Sequence, residues 1–93
     1  MIFAKATRYQ INEEKLKGFI DYLYVLTKKT RMLTNNLSFE YGFDNKDIVI
    51  IERWTSDQDY EKHIKTDEYS KEFATLQKMS IKVTVLYQIN TLS

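Results

Sequence analysis

Residues 48–63 read IVIIERWTSDQDYEKH, an apolar strand running into a short helix that carries the chain's single histidine. In Ile48–Trp54 the side chains alternate. Ile48, Ile50, Glu52 and Trp54 share one face, and Val49, Ile51 and Arg53 share the other. Both faces begin apolar, so both are expected to be covered, as in an interior strand. Ser56 has the position and chemistry of a helix N-cap whose hydroxyl accepts the Asp59 amide. Asp57 and Asp59 suit the positive pole of the helix dipole. Tyr60, His63 and Ile64 then fall at i, i+3 and i+4 and line one helix face. His63 is therefore expected to point toward the sheet.

Working toward the N-terminus, Asp44-Asn45-Lys46-Asp47 reads as a four-residue hairpin connection. It is preceded by a strand, Leu37–Phe43, with Leu37, Phe39, Tyr41 and Phe43 on one face. Thr34–Asn36 is a turn. Before it, Leu16, Phe19, Ile20, Leu23 and Thr27 recur at helical spacing with Leu26 beside them. Asn12 is the expected N-cap of that helix. Lys28, Lys29 and Arg31 sit where it ends and read as a solvated, dipole-matched terminus. Met1–Tyr9 is an alternating strand. Toward the C-terminus, Asp67 is the expected cap of a third helix on which Tyr69, Phe73 and Leu76 face one way. Ile81–Asn90 closes the chain as a strand with Ile81, Val83, Val85, Tyr87 and Ile89 on one face.

The resulting order, βαββααβ, is α+β and ferredoxin-like with a four-stranded antiparallel sheet, in one domain over residues 1–93. Helices cover one face of such a sheet; the other needs a partner.

Glu52, Trp54, His63, Tyr69 and Phe73 read as E-x-W-x(8)-H-x(5)-Y-x(3)-F. This resembles the antibiotic biosynthesis monooxygenase family of dimeric α+β barrels, across nearly the whole chain. The resemblance implies that a second copy covers the open sheet face, giving a homodimer by sheet-to-sheet packing. It implies a cofactor-independent monooxygenase that oxidises a small aromatic hydroquinone or polyphenol with molecular oxygen. Such a substrate reacts as its anion, so neither flavin nor metal is needed. His63 would be the proton acceptor. Trp54 and Tyr41 would orient the ring and Phe73 would close the pocket. Where the family commonly has Glu-Pro-Gly before the second strand, this chain has Leu33-Thr34-Asn35.

Each of these residues also has a plainer role. His63 is the one side chain whose unperturbed pKa lies near neutrality, and it suits general acid–base work; a histidine hydrogen-bonded at a helix–sheet boundary is the alternative. Trp54 could wall a pocket for a flat ring or simply fill the core. Glu52 on an apolar face needs a partner, and Arg31, Arg53 or a tyrosine could supply one. Phe39, Tyr41, Tyr60, Tyr69 and Phe73 could line an aromatic cavity or pack as ordinary core.

Composition narrows the function classes. Formal net charge is +1, from 14 basic and 13 acidic residues, which argues against a nucleic-acid or anionic-membrane footprint. Cysteine is absent, which excludes disulfides, thiolate nucleophiles and zinc–cysteine sites. A cytoplasmic location is the default expectation, with no signal segment and no apolar run of the ~20 residues that span a bilayer. A lone histidine with Asp59 gives no metal-ligand pattern. A non-catalytic dimer binding a small aromatic molecule is the alternative of a different class. Haem degradation fits poorly: by alignment on the E-x-W region, the haem-degrading branch's functional positions hold Thr7, His63 and Phe73. RNA binding through Phe39-Glu40-Tyr41-Gly42-Phe43 fits no better, since Glu40 and the near-neutral charge oppose it.

Overall fold

The computed structural model describes residues 1–92. The chain forms β1 (Phe3–Ile11), α1 (Glu13–Arg31), β2 (Asn36–Asp44), β3 (Asp47–Trp54), α2 (Asp57–Ile64), α3 (Asp67–Lys78) and β4 (Ser80–Asn90). The strands make one antiparallel sheet in the order β2-β3-β1-β4. This is the expected α+β ferredoxin-like arrangement. The central strands β1 and β3 carry apolar residues on both faces, as expected of interior strands.

Two clusters hold the helices on one face of the sheet. Phe19, Leu23 and Leu26 of α1 pack with Tyr9, Phe39, Ile48, Ile50 and Leu76. Phe3, Trp54 and Tyr60 form a second cluster under α2, with Ile64 against it. Phe19 and Leu23 are fully buried, and truncating either to alanine would cost about 2–5 kcal/mol.

Cross-strand register aligns the polar residues of the helix-covered face. Glu52 pairs with Lys5 on one side and with Phe39 on the other. Thr7 and Tyr41 likewise flank Ile50. The same register sets Ala4, Ala6, Val49 and Ile51 on the open face.

The local signals hold unevenly. Ser56 Oγ accepts the Asp59 amide at 3.1 Å, as expected. Asn12 occupies the N-cap of α1, but its side chain makes no capping bond. Thr66, not Asp67, caps α3: its hydroxyl accepts the Tyr69 amide at 3.1 Å, and Asp67 is the first helical residue. The hairpin is tighter than expected. Asp44 pairs with Asp47, leaving a two-residue turn in which Asn45 adopts φ 56°, a conformation asparagine tolerates. The end of α1 is not merely solvated. Arg31 Nε donates to the Phe39 carbonyl at 2.9 Å. Lys29 pairs with Glu68 and with Glu72, the latter at 3.0 Å.

β4 departs most from its expected pattern. Its pairing with β1 shifts register between Ala6 and Thr7 and again between Gln10 and Ile11. Thr7 faces Val85 and Ala6 faces Tyr87, so Leu86 is an extra residue. A bulge of this kind reverses the alternation. Val83 and Val85 stay with the helices, while Tyr87 and Ile89 pass to the open face beside Ala6 and Ala4. The five apolar residues expected on one face are thereby split between two.

Candidate functional site

A cleft of about 570 Å³, its mouth included, lies between the sheet and the helices. β1 contributes Lys5, Thr7 and Tyr9; β3 contributes Ile50 and Glu52; α2 contributes His63; α3 contributes Tyr69, Glu72 and Phe73. Phe39 of β2 and Val83 and Val85 of β4 complete much of the wall.

His63 stacks on the Trp54 indole, with centroids 4.5 Å apart and planes at 30°. The Tyr69 ring meets it edge-on at 5.2 Å. Tyr69 in turn stacks on Phe73 at 5.7 Å. Burial among these rings holds the His63 pKa below its ordinary 6.5, against the opposing pull of Glu72 and Glu68. The imidazole is therefore neutral at neutral pH and keeps one nitrogen lone pair for accepting a proton.

Glu52 is a half-buried carboxylate of the cavity, beside the more deeply buried Glu72. Trp54 Nε1 donates to its Oε1 at 2.9 Å. Two residues on the same strand face thus satisfy one another, rather than Glu52 finding Arg31 or Arg53. Burial raises the Glu52 pKa above its ordinary 4.5, opposed by the Trp54 N–H and the charge of Lys5. Lys5 lies beside Glu52 in register, but its ammonium donates to the Tyr60 hydroxyl at 2.7 Å. Burial, then the nearby Glu52 charge, pushes the Tyr60 and Tyr69 hydroxyls upward, so both remain phenols.

Of the residues singled out from the sequence, Phe39, Glu52, His63, Tyr69 and Phe73 line this one cleft. Trp54 and Tyr60 stand behind it. Trp54 is 1% exposed and backs His63 and Glu52; Tyr60 is 3% exposed and backs Lys5, with its ring stacked on Phe3 at 4.5 Å. Tyr41 flanks Ile50 but is not among the lining residues. Lys5, Thr7, Tyr9, Thr30 and Glu72 were missed. Lys5 and Thr7 were legible in part, because they share the alternation face of Phe3. Thr30 and Glu72 carried no signal, since only the packing of α1 against α3 brings them to the cavity. A second cleft, lined by Lys29, Thr30, Thr66 and Glu68 among others, shares His63 and Glu72 with the first.

Among the described residues no helix is long and apolar enough to cross a membrane. The family model for antibiotic biosynthesis monooxygenases matches residues 2–75. No curated protein matches the chain in sequence. Several solved structures share the fold. A structure described as an antibiotic biosynthesis monooxygenase superposes with TM-score 0.84 at 18% identity, over 100% of both chains. A Mycobacterium tuberculosis protein gives 0.82 at 18% identity, again over 100% of both. A conserved protein from Methanosarcina mazei Go1 gives 0.82 at 15% identity, over 91% of this chain and 90% of that one.

Proposed function

The chain belongs to the antibiotic biosynthesis monooxygenase family, and on that premise we propose that it oxidises a small aromatic hydroquinone or polyphenol with molecular oxygen, without a cofactor. The observation that carries this reading is the setting of His63. It is a neutral imidazole, backed by an indole and flanked by Tyr69, at the wall of a cleft whose other sides include Phe39, Phe73 and Val85.

In this reading His63 takes the proton of a ring hydroxyl. The resulting anion is an electron donor toward oxygen, and apolar walls leave it less stabilised than in water. One oxygen atom enters the ring as the new carbon–oxygen bond forms. The other leaves as water with the two hydrogens removed, so a hydroquinone and oxygen yield a hydroxyquinone and water. Trp54 fixes the imidazole plane from behind. Phe39, Tyr69 and Phe73 hold the flat ring.

We propose further that the protein is a homodimer joined through the open sheet face. Ile51, Tyr87 and Ile89 are each at least 42% exposed there, flanking the small side chains of Ala4 and Ala6, and a second sheet would cover them.

The test is oxygen uptake by metal-free protein on a panel of hydroquinones and anthrones, with autoxidation subtracted. Saturable uptake lost in His63→Ala is expected. Uptake no faster than autoxidation across the panel would refute catalysis and favour a dimer that only binds such a ring.

A further inference from the structure

We infer that Lys5 and Glu52 form a seat for one oxygen of the ring, a position separate from His63 in the same cleft. This rests on the reading of the cleft as a phenol-binding site, but not on turnover.

The two side chains are register partners on adjacent strands and both line the cleft. An ammonium and a carboxylate so placed would ordinarily pair. Among the described residues they do not: Lys5 Nζ donates to the Tyr60 hydroxyl, and Glu52 Oε1 accepts from the Trp54 indole. Tyr60 and Trp54 are core residues, fixed by their own packing, and they hold the two charges apart. Glu52 thereby keeps a carboxylate oxygen free, and Lys5 keeps N–H donors free. Glu72, the other carboxylate of the cleft, differs because Lys29 engages it at 3.0 Å.

A group that fits between a free acceptor and a free cationic donor must donate to one and accept from the other. A phenolic hydroxyl does both. Moving its proton to Glu52 leaves the electron pair on the ring oxygen, which faces the Lys5 ammonium. The carboxylate charge is lost as the phenolate charge appears, so the cleft's net charge does not change. Trp54 sets the spacing: His63 lies on the face of its indole and Glu52 at its Nε1 edge. The two stations are thus distinct positions along one cleft wall, which suits a ring bearing oxygens at two positions.

The probe is 4-nitrophenol, whose phenolate is coloured and whose phenol is not. It is titrated into the protein at a pH below its free pKa. The expected result is phenolate colour on binding, preserved in His63→Ala and Lys5→Arg. Lys5→Met should lose the colour and about tenfold or more in affinity, the scale of one charge-assisted hydrogen bond. Glu52→Gln still accepts from Trp54 but cannot take the proton, so the probe should bind without the phenolate colour. A colourless complex with wild type overturns the proposal, as does colour lost in His63→Ala but kept in Lys5→Met. Because nothing is oxidised, colour without oxygen uptake would refute the catalytic reading alone, and uptake with a colourless complex would refute the seat alone.

Discussion

At the residue scale, Trp54 does three jobs that its sequence position hints at only in part. Its burial anchors the α2 end of the sheet. Its indole face backs His63 at 4.5 Å. Its N–H holds Glu52 at 2.9 Å. The i, i+2 spacing of Glu52 and Trp54 makes them neighbours on one strand face, and that is readable from the chain. That they satisfy each other is not readable, because it depends on the rotamers the surrounding core permits. Glu52 has a thermodynamic consequence. Its folded pKa is raised, so the folded state holds its proton to higher pH than the unfolded chain does. Wild-type stability therefore falls as pH rises from the ordinary carboxylate value of 4.5 through the folded pKa, and the penalty persists above it. Glu52→Gln should be more stable than wild type in urea at neutral pH, with an advantage that shrinks as the pH is lowered through the folded pKa toward 4.5 and is gone below that value. A gap independent of pH would mean that Glu52 is not desolvated. His63 carries the opposite sign. Its folded pKa lies below 6.5, so oxygen uptake should hold down to that pH and fall on an acid limb beneath it.

Among the elements, periodicity recovered nearly everything that depends on one segment alone. The alternation in Ile48–Trp54, the Ser56 cap and the helical spacing of Phe19 and Leu23 all come from local rules, and the structure follows them. Most failures arose where a second segment intervenes; the α3 cap, which is Thr66 and not Asp67, was a local miss. β4 alternates in sequence except at Leu86, and there a bulge against β1 sends Tyr87 and Ile89 to the other face. No local property of β4 records the twist and register of β1. The basic end of α1 was read as solvated because its partners, Glu68, Glu72 and the Phe39 carbonyl, lie far along the chain. Thr66 is the junction with the most to test. Its hydroxyl accepts the Tyr69 amide and donates to the His63 carbonyl at 2.7 Å, so one atom joins α2 to α3 between two residues of the cleft. Thr66→Ala should cost about 1 kcal/mol in chemical denaturation, whereas Thr66→Ser should cost a few tenths at most. Equal losses would show that the cap contributes through its methyl group and not its oxygen.

For the whole molecule, the sheet has one face closed by three helices and one left open. The cleft lies on the closed side, so the open face is free to bind a second copy without obstructing the site. Ile51→Lys places a charge on that face without touching the cleft. The variant should run as a monomer by light scattering at micromolar concentration, where the wild type is expected to run as a dimer. A monomeric wild type would sink the pairing while leaving the cleft intact. The chemistry is tested most directly by isotope incorporation. Metal-free protein and a hydroquinone are incubated under ¹⁸O₂, beside a protein-free control and His63→Ala, and the product is weighed by mass spectrometry. One labelled oxygen per product molecule is expected, formed well above the control and lost with His63. Product that forms at the control rate, or that draws its new oxygen from water, would contradict it.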